Sequence, residues 1–234
     1  MFNIKGVLFD LDGTVLDSEG LFEEAQILLL KEYGIFINMN ELPNSTGMSY
    51  KDFYPQFMRK FELSDDIENL RLKLRTYLHT IMESRLKFID GFEDFYKNCI
   101  KHKGIKSGIV TNTSRVTYQK VQRFTNIDDY FNFSITATES IKPKPSSSPY
   151  LQAMEELSLK PSETVVIEDS KTGIISGLHS KAKVIAITTS LKSADIHLIS
   201  DNVLVFNSYD EIGNYFKKTF NIYQTSPSST IIHK

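Results

Sequence analysis

The sequence predicts an α/β protein, a parallel β-sheet layered between helices and interrupted once by a long helical insert. Three observations carry this. Short apolar, β-branched runs alternate with helix-length segments over most of the chain. Several of these runs end in carboxylate, hydroxyl or amide residues, as strands do where an α/β sheet opens toward a ligand. One interval, between the first and second runs, is helical throughout. The 234 residues also exceed one average domain, at about 1.6 domains of roughly 150 residues each.

Val7-Leu8-Phe9, stopped by Asp10, reads as a strand buried on both faces. Residues 16–88 follow with no convincing strand. Positions 21, 22, 25, 28, 29 and 33 are apolar and make one helical face. Asp17 or Ser18 is placed to cap its start, and Gly34 its end. Residues 50–61 and 65–87 continue the helical spacing, with Leu70, Leu74, Tyr77, Leu78 and Ile81 on one side. A crossover between parallel strands needs only about a dozen residues, so roughly seventy imply a separate helical unit. The core is then expected at residues 1–15 and 89–220, and the insert at 16–88. Further strands are expected at 105–110, 133–137, 165–167, 184–187 and 203–206. Crossover helices are expected at 114–124, 147–157, 171–179 and near Ser193. Residues 221–234, with Thr225-Ser226-Pro227-Ser228-Ser229-Thr230, read as a mobile tail.

Composition narrows the function. The charge sum of 27 Lys and Arg against 29 Asp and Glu is −2. That gives no electrostatic case for nucleic acid or an anionic membrane as partner. No run approaches the roughly 18 apolar residues of a membrane span, and residues 1–6 lack a signal-peptide layout. A soluble cytoplasmic protein is expected. The single cysteine, Cys99, excludes an intramolecular disulfide framework and a Cys-built zinc site. In its helical setting it reads as a buried packing thiol.

The chemistry concentrates at the ends of expected strands. The first runs into Phe9-Asp10-Leu11-Asp12-Gly13-Thr14. Two carboxylates spaced by one residue at a strand end can hold a hard cation such as Mg²⁺, and one of them can attack an electrophile. Thr111-Asn112 ends the second strand, Lys142-Pro143-Lys144-Pro145 follows the third, and Glu168-Asp169-Ser170 with Gly173 ends the fourth. In this order, over residues 5–210, these segments resemble the four motifs of the haloacid dehalogenase-like superfamily of phosphotransferases. The insert is similar to the helical cap of its β-phosphoglucomutase-like branch. The resemblance implies a Rossmann-like three-layer core with an inserted cap.

It also implies roles. Asp10 would be the nucleophile that forms an aspartyl-phosphate. Asp12 would protonate the leaving oxygen and then deprotonate water. Mg²⁺ would lie between Asp10, the Asp12 carbonyl and Asp169, with Glu168 behind them. Thr111, Asn112 and Lys142 would hold the phosphoryl oxygens. Lys142, framed by Pro143, is preferred over Lys144, although the segment from Lys142 to the next helix is then about two residues longer than the family pattern. Lys181 stands where the family commonly has Gly, which concerns a helix end and not the chemistry.

Phe22 stands where the mutase branch has His, and Tyr50 where its cap has Arg. Losing a cation for a second phosphate weakens a mutase. The reading is therefore a phosphatase for a small phosphorylated metabolite, with a phosphosugar mutase second and a non-catalytic phospho-ligand module third. Gly47, Tyr50, Lys51 and Arg75 are the candidates for substrate choice; Arg71 and His79 share the helical spacing of Arg75. A monomer or weak dimer is expected.

Overall fold

The structure, a computed structural model, describes residues 3–18, 20–43 and 50–220; of Tyr50 and Lys51 it describes the backbone alone. In chain order the strands are β1 (Gly6–Phe9), β2 (Leu16–Asp17), β3 (Lys87–Phe88), β4 (Lys106–Val110), β5 (Ser134–Ile135), β6 (Thr164–Glu168), β7 (Lys183–Ile187) and β8 (Leu204–Phe206). The helices are α1 (Leu21–Glu32), α2 (Tyr50–Lys60), α3 (Ile67–Arg85), α4 (Phe92–Phe95), α5 (Arg115–Phe124), α6 (Ser148–Glu156), α7 (Lys171–His179), α8 (Ser193–Ile199) and α9 (Tyr209–Thr219).

Six strands form one sheet in the order β5-β4-β1-β6-β7-β8, and every neighbouring pair is parallel. Alternate side chains of its apolar runs go to opposite faces. Val7, Phe9, Val165, Ile167, Ile185 and Ile187 meet Phe92, Phe95, Tyr118, Tyr209 and Phe216 from α4, α5 and α9. Leu8, Val110, Val166, Val184 and Ala186 meet Tyr150, Met154, Ile174 and Ile196 from α6, α7 and α8. Burial on both sides explains why these strands read as unbroken apolar runs. Phe9 lies opposite both Ile109 and Ile167. Asp10, Thr111 and Asp169 therefore leave the sheet at one edge, around the central strand from which the order runs outward in both directions.

The insert carries α1, α2 and α3. Asp66 caps α3, its carboxylate accepting from the Glu68 and Asn69 amides at 2.9 and 3.1 Å. Leu21, Ala25, Leu29, Leu30, Phe57, Leu70, Leu74 and Ile81 are buried in the same apolar cluster as Phe9, Leu11, Val15 and Leu16. Each of the Leu, Ile and Phe side chains contributes about 1.5–3 kcal/mol when fully buried. Helix α1 ends as its sequence predicts. Gly34 is left-handed (φ 74), its amide donates to Lys31 O, and the Ile35 amide donates to Leu30 O, both at 3.0 Å.

Two expectations are corrected. The interval 16–88 is not free of strand: β2 and β3 pair antiparallel at its two ends, Leu16 with Phe88 and Asp17 with Lys87. Strands of two residues are too short to show an alternation. Helix α1 is not capped by Asp17 or Ser18; it starts behind Gly20, in a left-handed conformation (φ 74) with no side-chain cap. Residues 221–234 lie outside the described residues. No helix among the described residues is long and apolar enough to cross a membrane. Cys99 is free and buried, and burial pushes its thiol pKa up.

Candidate active site

The turn after β1 brings Asp10 to the sheet edge, its amide donating to Ile167 O at 3.0 Å. The residue is buried, 7% exposed. Gly13 then turns the chain with φ 75; a Cβ there would stand 2.1 Å from Asp169 Oδ2, so only glycine permits this approach. The loop closes tightly on the fourth motif. Thr14 Oγ1 donates to Asp169 Oδ1 at 3.0 Å, and Ser190 Oγ donates to Asp169 Oδ2. Thr189 Oγ1 donates to the Gly13 carbonyl at 2.5 Å, and the Tyr209 hydroxyl to the Thr14 carbonyl at 2.8 Å. Asp12 points to a partly exposed position, where Thr113 Oγ1 donates to its Oδ2 at 2.6 Å.

The cation beside Asp10 is Lys144. Its Nζ donates to Asp10 Oδ1 at 2.5 Å and to Glu168 Oε1 at 2.6 Å, and lies 5.0 Å from the centre of the Tyr150 ring. Asn112 fixes this lysine through its backbone: Oδ1 accepts from the Lys144 amide at 2.9 Å and Nδ2 donates to its carbonyl at 3.2 Å. The Tyr150 hydroxyl donates to Glu168 Oε1 at 2.6 Å. Gly173 makes room for this carboxylate, since a Cβ there would fall 1.9 Å from it.

The electrostatics are lopsided. Asp10, Glu168 and Asp169 are buried around the one buried Lys144. Burial raises the Asp10 pKa well above the ordinary carboxylate value; Lys144 opposes the rise, and Glu168, Asp169 and Asp12 add to it. Burial and Glu168 likewise push Asp169 up to about 7. Burial works against charge on Lys144, but Asp10 and Glu168 outweigh it and hold the ammonium charged. Three buried carboxylates with one ammonium are short of positive charge. Asp10, Glu168 and Asp169 each offer an oxygen within 4.8 Å of the others. Hard oxygen donors at this spacing fit a divalent cation such as Mg²⁺, with Asp10 and Asp169 best presented to it.

Asp10, Asp12, Thr111, Asn112, Glu168 and Asp169 thus converge as the sequence placed them at strand ends. Lys142 does not. It is exposed, with its carbonyl accepting from Ser140 Oγ at 2.7 Å, while Lys144 occupies the buried position against Asp10. The signal for this was present, because counting from Lys144 removes the two surplus residues before α6. Gly47 lies outside the described residues, and the side chains of Tyr50 and Lys51 are not described. Arg75 is half-buried on α3, one turn from His79, whose Nε2 lies 3.4 Å from Thr117 Oγ1 of α5. Thr113, Tyr150 and Ser190 were missed. Thr113 and Ser190 are loop residues and Tyr150 a helix residue, with nothing to mark them until folding sets them beside a carboxylate.

Comparison with known proteins follows the same lines. The family model described as haloacid dehalogenase-like hydrolase matches residues 7–187. A phosphorylated carbohydrates phosphatase of Thermotoga maritima is 27% identical over 172 residues, 73% of this chain and 79% of that protein. Pyrophosphatase PpaX of Oceanobacillus iheyensis is 27% identical over 195 residues, 82% and 87% of the two chains. Among solved structures, a haloacid dehalogenase hydrolase of Entamoeba histolytica superposes with a TM-score of 0.78 at 22% identity, over 92% of this chain and 100% of that one. CbbY of Rhodobacter sphaeroides, solved with xylulose 1,5-bisphosphate, gives 0.72 at 20% identity, over 90% and 96%. With the fold, the site and a family match over most of its length, the chain belongs to the haloacid dehalogenase-like hydrolases and is an enzyme of their phosphatase kind.

Proposed function

We propose that this enzyme is a Mg²⁺-dependent phosphatase that hydrolyses a small phosphorylated metabolite through a phosphorylated Asp10. The observation that carries the reading is the buried Lys144–Asp10 contact at the edge where Asp12, Thr111 and Asp169 also emerge. Asp10 Oδ2 accepts no side-chain or backbone bond among the described residues, whereas Oδ1 is tied to Lys144. Oδ2 is the oxygen that attacks phosphorus. The bond to the leaving oxygen breaks, and Asp12 delivers a proton to it. Asp12, steadied by Thr113, then takes a proton from the water that cleaves the acyl phosphate, releasing inorganic phosphate and free Asp10. Lys144 and Thr111 face the transferring oxygens, and Asn112 holds Lys144 in place. Bound between Asp10, the Asp12 carbonyl and Asp169, Mg²⁺ would neutralise phosphoryl charge.

The insert between residues 16 and 88 acts as a cap that excludes bulk water. Arg75 and His79, on the α3 face that meets α5, are suited to a distal anionic or polyhydroxyl part of the substrate. The relatives, a phosphorylated carbohydrates phosphatase and a pyrophosphatase, support a small phosphorylated substrate. Arg75, a cation on that α3 face, is what favours a phosphosugar mutase as second reading.

Incubation with p-nitrophenyl phosphate and Mg²⁺ tests the proposal. Phosphate release that Asp10→Asn abolishes supports it, and release no greater than that of Asp10→Asn overturns it. With β-glucose 1-phosphate, formation of the 6-phosphate in place of free phosphate would turn the reading to the mutase.

A further inference from the structure

The three buried acids differ in how their oxygens are already used. An ionised carboxylate offers about four lone-pair sites. Glu168 has every one of them filled by protein: Oε1 accepts from Lys144 Nζ and the Tyr150 hydroxyl, both at 2.6 Å, and Oε2 accepts from Ser170 Oγ at 3.2 Å and the Asp169 amide at 3.3 Å. Asp169 accepts one hydroxyl on each oxygen, from Thr14 and Ser190. Asp10 accepts Lys144 alone. Two acids therefore keep oxygens free for a cation, and the third keeps none, although its carboxylate lies within 4.8 Å of theirs.

Tyr150 is the donor that completes the filling of Glu168. It is fully buried on the first turn of α6, opposite the end of β6. Phe in its place would pack the same volume and carry no hydroxyl. We propose that Tyr150 is a positioning residue that keeps Glu168 bound to Lys144 and out of the coordination sphere of the cation. This rests on the phosphatase reading for its consequence in turnover, but not for its consequence in cation binding. Without the hydroxyl, Glu168 has a free lone pair on Oε1 and one fewer donor holding it in place. It then draws Lys144 away from Asp10 and competes with Asp169 for the metal.

The test is Mn²⁺ alone, titrated by calorimetry and by electron paramagnetic resonance into wild type, Tyr150→Phe, Glu168→Gln and the double variant, with no substrate present. Tyr150→Phe should bind Mn²⁺ about threefold to tenfold more tightly. Its kcat at saturating cation should fall about tenfold with KM within about twofold, outer-partner effects being commonly 10- to 100-fold. In the Glu168→Gln background the Tyr150→Phe gain in affinity should vanish, because there is no carboxylate left to release. A role confined to packing loosens the site and lowers affinity. Unchanged or weaker Mn²⁺ binding by a Tyr150→Phe protein with wild-type circular dichroism overturns the proposal, as does a gain that persists in the double variant. An enzyme that binds Mn²⁺ as proposed but hydrolyses no phosphoester would leave this assignment standing and count against the phosphatase reading.

Discussion

Lys142 and Lys144 are separated by one proline and by opposite environments. One is in solvent; the other is sealed between two carboxylates and an aromatic ring. Lys144→Met should reduce hydrolysis by about 10²- to 10³-fold or more, the scale set by losing a preorganised charge at a transferring group. Lys142→Met should stay within about twofold, because an exposed surface change is usually small. Steady-state rates with p-nitrophenyl phosphate check both. A Lys-Pro pair occurs twice in Lys142-Pro143-Lys144-Pro145, so residue type alone does not choose between them. Distance to the next helix does, because chain length fixes which lysine reaches the sheet edge. Asp10, Asp12 and Asp169 were legible because each lies within three residues of the end of an apolar run. Tyr150 and Ser190 were not, since their meaning lies in the carboxylates they reach across the fold.

Strands and helices were mostly legible at the element scale because both faces of the sheet are covered, which makes each core strand an unbroken apolar run. The β2–β3 pair escaped because its strands carry two residues each. Helix ends show where local rules are strained. Lys181, just past α7, is held at φ 66. A left-handed residue other than glycine costs about 1–2 kcal/mol, and glycine returns about 0.5–1 kcal/mol of that as unfolded-state entropy. Lys181→Gly should therefore stabilise the protein by about 0.5–1 kcal/mol, read as a rise in the urea midpoint. At the start of α5, Arg115 grips Glu139 bidentately, Nε to Oε1 at 2.9 Å and Nη2 to Oε2 at 2.8 Å. The Arg115 hydrogen bonds lower the Glu139 pKa from 4.5 to about 2, with the Thr136 hydroxyl and amide assisting. The folded state thus binds this proton more weakly than the unfolded chain. Its stabilising contribution is full above about pH 4.5 and fades as the pH falls toward 2. Glu139→Gln should lose less stability than wild type across that window in parallel urea titrations.

At the scale of the whole molecule, the near-zero net charge agrees with recognition confined to one crevice, where Lys144 and the acids are set in low dielectric. The apolar interior is also continuous. The cluster under the first sheet face includes α4 and α9 and runs through Leu11, Val15 and Leu16 into the insert helices. The insert and the sheet should therefore unfold in one transition, with calorimetric and van't Hoff enthalpies equal; two resolved transitions would contradict a shared interior. The paired strands β2 and β3 have a consequence for motion. Two separate crossings would let the helices tip, slide and rotate. Laced together, Leu16 to Phe88 and Asp17 to Lys87, they would restrict the proposed cap to a single swing, as one pin does a door. The pin is seated in the loop that bears the acids, for the Gly13 amide holds Leu16 O at 2.8 Å and the Ile89 amide holds Val15 O at 2.9 Å. Any swing of the cap proposed above would therefore pull on the loop that carries Asp12.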